Sequence, residues 1–259
     1  MLAEASCFRN VQKELRMEQV FKGRVVNAGS LLFFPEEQQI ERPNDILDSM
    51  LYTQLAASRK HERFNDFERW KEVWLAAALR FGWALKASEH VSEPLAKGTL
   101  DTVWSLAARA FSTSVSSSAL TRTEAFMHLA NAQSPAQPAI KLLASQAMHV
   151  EAPPPDSNDP SRRTRAGQST LALQVGFVTA DRTLDLALVH FKTRQTLTGE
   201  FLFKQIEPGQ ILGNVEVTVY SMQLMDQVYA PFREVFHTAR LKQDPSLTLS
   251  LGEVAHVAQ

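Results

Sequence analysis

The chain reads as an α+β protein in which N-terminal helices pack on a C-terminal antiparallel sheet, a meander, followed by a final C-terminal helix. Three observations carry this expectation. Apolar residues recur at helical spacing through much of the first half, the period changes to two after residue 168, and helical spacing returns near residue 226. Helices followed by consecutive strands belong to the α+β class rather than to alternating βαβ units.

Residues 1–22 read as an amphipathic helix, with Phe8, Val11, Leu15 and Phe21 near one face and Gly23 at its end. Val25 and Val26, then Leu31 to Phe34, are short extended pieces before Pro35. Pro43 and Asn44 open the next helix, whose apolar positions are Ile46, Leu47, Met50, Leu51 and Leu55; the Asn44 side chain can accept an orphan helix N–H. The polar stretch Arg59 to Arg63 is a connection. Over 66–81, Phe67, Trp70, Trp74 and Phe81 form one stripe with Ala77 and Ala78, while Glu68, Arg69, Lys71 and Glu72 lie off it. Gly82 stops that helix, and Trp83, Leu85 and Ala87 begin a strand over 83–91. Thr99 caps a helix over 100–111 with Leu100, Val103, Trp104, Ala107 and Phe111 as its stripe. After the loop Ser112 to Ser118, Thr121 and Glu124 make a capping-box pair opening a helix over 122–132. Pro135 and Pro138 break it, and 138–147 is a further short helix.

Residues 151–168 contain four prolines and almost nothing apolar, so they form a loop. Met148 and Val150 look strand-like just before it, which favours a loop within one sheet and a single domain over 1–259. The alternative is a mainly helical unit over 1–150 joined to a sheet-plus-helix unit over 169–243. Beyond the loop, Leu171, Leu173, Val175 and Phe177 alternate with Ala172, Gln174 and Gly176. Leu184, Leu186 and Leu188 form the next strand, Phe201 and Phe203 a third, and Val215, Val217 and Val219 a fourth after the turn Glu207–Gly209. Alternation predicts one buried face and one wetter face. The last helix, 226–241, is expected to turn Val228, Phe232, Val235, Phe236 and Leu241 inward, with Pro231 delaying or kinking it; 244–259 reads as a tail.

Lysine plus arginine number 27 against 28 acidic residues, a net charge of −1. Nucleic-acid binding is not expected, because phosphate neutralisation needs a basic excess; Arg162, Arg163 and Arg165 are a solvated basic loop. With Cys7 the only cysteine, no intrachain disulfide can form. The N-terminus lacks a signal-peptide pattern, and the longest strictly apolar run, Val73 to Leu79, is too short to cross a bilayer. The protein is therefore expected to be soluble, without a transmembrane segment, and either cytoplasmic or exported without a recognisable signal peptide.

Catalytic signatures are missing. Neither GxGxxG nor GxxxxGK[ST] nor GxSxG occurs. Among His61, His90, His128, His149, His190, His237 and His256 no two stand at ligand spacing on a helix, so neither a metal site nor a cofactor is expected. Glu234 and His237 form an ExxH pair, which ligates a di-iron centre only when other helices add glutamates. His190 ends a strand on its apolar side, and His61, Glu62 and Asp66 cluster at a helix boundary. The conspicuous feature is the tryptophan-rich set Trp70, Trp74, Trp83 and Trp104. It packs as core, or it forms an apolar-ligand or lipid-facing surface with peripheral membrane contact, since each indole N–H wants a partner.

The run Leu51 to Ala56, with Phe64, Asn65, Asp66, Trp70, Val73, Leu79 and Phe81–Gly82–Trp83, resembles a pattern of Evf-like virulence-associated proteins of bacteria that colonise insects. The strand Leu184 to Phe191, Phe201–Phe203 and the terminal helix resemble it too. The resemblance spans about 45–240 and implies an α/β or α+β fold without established enzymatic chemistry. An acylated cysteine in the later part of the chain does not carry over, because no cysteine follows Cys7. The expected function is a non-catalytic bacterial interaction or virulence-associated protein of unknown partner. The alternatives are an apolar-ligand or membrane-surface binder using the tryptophans, and an enzyme whose site is dispersed in the sequence.

Overall fold

The computed structural model describes residues 23–35, 40–133, 138–151, 167–243 and 245–252. The expected first helix with Cys7, the arginines of the long loop and most of the tail lie outside the described residues. Eight strands form one mixed sheet. These are β1 (Arg24–Asn27), β2 (Ser30–Phe33), β3 (Trp83–Glu93), β4 (Met148–Val150), β5 (Ser169–Val178), β6 (Thr183–Thr193), β7 (Ile211–Leu224) and β8 (Thr248–Ser250). The helices among the described residues are α1 (Pro43–Lys60), α2 (Phe67–Arg80), α3 (Val103–Ala110), α4 (Ser117–Gln133), α5 (Pro138–Ala147) and α6 (Asp226–Gln243).

The strand order is β3-β7-β6-β5-β2-β1-β8, with β4 on β5 outside that path. Every pairing is antiparallel except β2 with β5. The sheet is thus not confined to the C-terminal half: β1, β2 and β3 come from the first half, and α6 is followed by β8. One edge of β5 is shared in tandem, its first three residues facing β4 and Gln174 to Phe177 facing β2. The Glu151 N–H donates to the Gln168 carbonyl, and the Gly167 N–H to the Glu151 carbonyl, so the ends of the proline-rich loop continue the β4–β5 ladder.

Helices cover both faces of β5 and β6, which corrects the expectation of one wet face there, whereas β3 beyond Trp83 is exposed and β7 keeps an alternation of buried and half-buried residues. Leu184, Leu186 and Leu188 of β6 pack with α1, α2 and α6, whereas Ala187, Val189 and Phe191 pack with α3, α4 and α5. The signal was misread because the alternate residues of β5 are Ala172, Gln174 and Gly176. Their small or amide side chains mark a place where neighbours approach closely, not a place where water sits. At Gly176 an added Cβ would lie 2.7 Å from Leu184 Cδ1 and 2.9 Å from Leu32 Cδ2.

Three other expectations are corrected. Phe201 and Phe203 belong to no strand. Phe201 and Leu202 are both buried, and the Phe201 and Phe203 N–H groups close local turns onto Thr198 and Glu200 instead of joining a ladder. The helix expected from residue 100 begins at Val103, because Thr102 and Ser105 cap each other reciprocally, at 3.0 and 2.9 Å. Leu100 is left 78% exposed. Thr121 does not open α4 but lies inside it, donating its hydroxyl to the Ser117 carbonyl.

Replacing Gly176 by Val should lower stability by about 1–3 kcal/mol, because added methyl groups cannot enter a packed interior without shifting it. Gly209→Ala, with no atom within 4 Å of its Cβ, should be near neutral. Urea unfolding of both variants checks this, and equal midpoints would mean the β2–β5–β6 layer is loosely packed.

Candidate functional site

The four tryptophans do not gather into one surface. Trp70 and Trp74 of α2 and Trp83 of β3 lie in the core beneath α1, α2 and α6, while Trp104 of α3 lies across the sheet in the other core. All four are at most 2% exposed. Two indoles find the partners they need, Trp70 donating to Ser58 Oγ at 2.9 Å and Trp83 to Ser49 Oγ at 3.1 Å. The structure therefore places them in packed interior, not on a lipid-facing surface.

Exposed apolar surface occurs elsewhere, along α6 and at Met225 just before it. Met225, Val228 and Val235 are 44%, 50% and 64% exposed, with the partly buried Phe232 between them. Phe232 meets Phe81 edge-on at 5.3 Å, and Leu79, in the last turn of α2, is 44% exposed. Val228, Val235 and Leu241 were expected to face inward, and the structure turns all three out. The inward face instead carries Tyr229, Arg233, Phe236, His237 and Arg240, because that face must meet two buried carboxylates of α1.

Those carboxylates are Asp45 and Asp48. Asp45 accepts from Arg233 Nε at 3.1 Å and from Arg182 Nη2 at 3.2 Å. Arg182, at the β5–β6 turn, also bonds Asp226 at 2.9 Å, and Arg233 bonds Asp226 as well. Asp48 is paired with Arg240 and stands 3.4 Å from His237 Nδ1. Burial raises both carboxyls above the usual range, opposed by Arg233 at Asp45 and by Arg240 and His237 at Asp48. The Tyr229 phenol beside them is pushed far up by burial and by the two carboxylates. The guanidinium groups occupy the carboxylate oxygens, so the cluster is a latch between α1, α6 and the β5–β6 turn. His237 of the ExxH pair is committed to this latch while Glu234 faces solvent, and no group of three or more metal-ligating side chains is found among the described residues.

A second titratable cluster lies under the start of α2. His190 and Glu216 are directly opposite on β6 and β7, with Nδ1 and Oε2 at 3.3 Å, beside a register shift before Lys192. Phe67 stacks on the imidazole at 3.8 Å, and Lys71 pairs with Glu68 nearby at 2.8 Å. The hydrogen bond from His190, followed by the charges of His190 and Lys71, holds the Glu216 carboxyl below its usual value. A carboxylate orienting an imidazole is the base half of a catalytic arrangement, yet Glu216 is the only hydrogen-bond partner of the His190 ring among the described residues. His61 and Asp66, suspected from the sequence, are brought together at 3.0 Å on the surface before α2.

Sequence reasoning missed the latch because its two sides lie 188 positions apart. Its one local trace was polar residues, Asp45 and Asp48, inside an apolar helix stripe. No helix among the described residues is long and apolar enough to cross a membrane.

Asp48→Ala leaves Arg240 and His237 facing each other in a buried site, and should cost about 3–5 kcal/mol. Asp226→Ala, at the exposed end of the same cluster, should cost about 1 kcal/mol or less; urea unfolding separates the two. The Glu216 carboxyl is depressed in the folded state, so its contribution to stability is present above its ordinary value of 4.5 and lost as pH falls through the lower folded value. Glu216→Gln should therefore flatten the fall in stability below that value in a pH series of unfolding curves, and an unchanged slope would assign the acid response to other carboxylates. No family model matches the chain, and no curated protein matches it in sequence.

Proposed function

We propose that the protein is a non-catalytic interaction factor that docks an amphipathic helix of a partner on the apolar strip of α6, in keeping with the virulence-associated resemblance of its sequence. The observation that supports this reading is the spacing of the strip. Met225, Val228, Phe232 and Val235 follow one another at intervals of three, four and three. That rhythm is the narrow seam by which one helix receives another, with side chains of each inserting between those of its partner. A helix merely covering its own core needs a broader stripe, and α6 already turns a different face, Tyr229 and Phe236, to the core.

Apolar-ligand or membrane-surface binding is the second reading, and the same strip favours it. It has less support, because a net charge of −1 supplies no general attraction to anionic lipid. Among the described residues the enzyme reading draws on His190 and Glu216, and that imidazole is stacked beneath Phe67.

Hydroxyl-radical footprinting tests the proposal without knowledge of the partner. Met225 and Val235 should be labelled readily in dilute purified protein and protected several-fold in the cells that make it. Leu100, exposed on a different part of the chain, should be labelled equally in both. Equal labelling of the strip in both settings would sink the reading.

A further inference from the structure

We infer that Arg42, Arg182 and Arg233 form a binding site for a phosphate group, with the Asp226 carboxylate as the built-in anion that the phosphate displaces. The three guanidinium groups come from three elements. Arg42 precedes α1, Arg182 lies in the β5–β6 turn, and Arg233 is on α6. All three converge on one atom, Asp226 Oδ1, with Arg182 at 2.9 Å, Arg42 at 3.6 Å and Arg233 hydrogen-bonded to it. Among the described residues only three residues other than glycine have positive φ, and two of them are Arg42 at 52° and Arg182 at 64°. Such backbone costs energy and persists where the placement of its side chain is needed.

One carboxylate is a poor match for three guanidinium groups. Its two oxygens lie in one plane and suit a single bidentate fork. Here Arg182 and Arg233 share Oδ1, and Arg42 is left at ion-pair distance without a hydrogen bond to it. A phosphate offers three oxygens in a tetrahedral arrangement and up to two negative charges, so cations arriving from three sides can each receive an oxygen. The field also favours an anion at this point. The hydrogen bond from Arg182, with the charges of Arg233 and Arg182, holds the Asp226 carboxyl below its usual value. Other acids do little to cancel it. Glu41, 3.8 Å from Arg42 Nε, is 82% exposed and screened by water. Asp181, next to Arg182 in the chain, is engaged by Thr179, Thr183 and Lys86.

Exchange is open to a ligand because the two carboxylates of this site differ in depth. The Asp226 side chain is 49% exposed and that of Asp45 is 7% exposed. A phosphate can therefore replace Asp226 without entering the core. Asp45 meanwhile keeps Arg182 Nη2 and Arg233 Nε, so both guanidinium groups stay in place before and after exchange. Cations held in position in advance lower the ordering cost of binding. The inference does not rest on the docking reading above, and either stands if the other falls.

Phosphorus NMR of inorganic phosphate mixed with the full chain tests the inference, at constant ionic strength and about pH 8, where phosphate is doubly charged. The phosphate resonance should broaden, with a Kd on the order of 1 mM, because Asp226 competes from within. Asp226→Asn keeps the shape of the side chain and removes the competing charge, so it should tighten binding at least ~10-fold. Arg42→Gln should weaken it at least ~10-fold. Arg42 is half exposed and outside the buried pairs, so circular dichroism should stay unchanged in both variants. Arg69→Gln, on the exposed surface of α2, should bind as the wild type does. Phenyl phosphate that competes with inorganic phosphate assigns the site to phosphate esters, and failure to compete assigns it to free phosphate. No broadening with Asp226→Asn, or broadening indifferent to Arg42→Gln, overturns the inference. Acetate that displaces phosphate at equal concentration overturns it as well, because a site built for three oxygens must discriminate against a planar carboxylate.

Discussion

The pairing of Asp45 and Asp48 with Arg182, Arg233, Arg240 and His237 is the constraint on which the α6 side of the molecule depends. Two carboxylates buried on α1 cannot stay ionised without cations and hydrogen bonds, and removing any one partner leaves a charge stranded in a poor solvent. A paired buried ion cluster adds little net stability over apolar packing. What it adds is geometry, because the cations must arrive at fixed places. Arg233, His237 and Arg240 recur at intervals of four and three, so meeting the two aspartates sets the rotation of α6 about its own axis. Tyr229 and Phe236 are carried inward with them, and Met225, Val228 and Val235 are carried outward. The exposed strip is thus the consequence of an electrostatic requirement some distance from it.

A similar economy holds beneath α1, where a polar network lies in the core. Gln54 donates to the Asn27 carbonyl and accepts from the Gly29 N–H, while Asn27 donates to the Leu47 carbonyl, tying the β1–β2 turn to α1. Arg63 reaches into the same place, donating to Gln54 Oε1 at 3.2 Å and to the Gly29 carbonyl at 3.4 Å, and lying 4.5 Å over the Trp70 ring. No carboxylate pairs with it among the described residues, and burial pushes its guanidinium down to about 9. Carbonyl oxygens and an aromatic face take the place of a counter-ion. Gly29 is needed here, since a Cβ would fall 2.0 Å from Arg63 Nη1.

How much could be read in advance varied with the range of the cause. The stripe of Phe67, Trp70 and Trp74, the break at Gly82, the strand from Trp83 and the alternation around Leu171 and Leu184 are local patterns, and each corresponds to an element of the structure. Phe201 and Phe203 failed because two aromatics at a spacing of two also suit a buried turn. The start of α3 failed by three residues because Thr99 and Thr102 are both acceptable caps, and the choice fell to Ser105, which returns the bond. The tryptophans stood out in composition, yet only packing could assign three to one core and the fourth to the other.

The sequence by itself determined the helices around Ile46, Trp70 and Phe236 and the strands around Trp83, Leu171 and Leu184, because backbone periodicity depends on neighbours within a few residues. It also determined the near-neutral charge and the lack of any second thiol to pair with Cys7. Tertiary structure alone decided that both faces of β5 and β6 are covered, that β2 joins β5 in parallel, and that α6 turns Val228 and Val235 to the outside. Those outcomes depend on groups such as Asp45 and Arg233, which lie 188 positions apart and meet only when the chain is folded. Hydrophobicity says that a valine prefers burial; it does not say which face of a helix yields when a buried carboxylate claims the other.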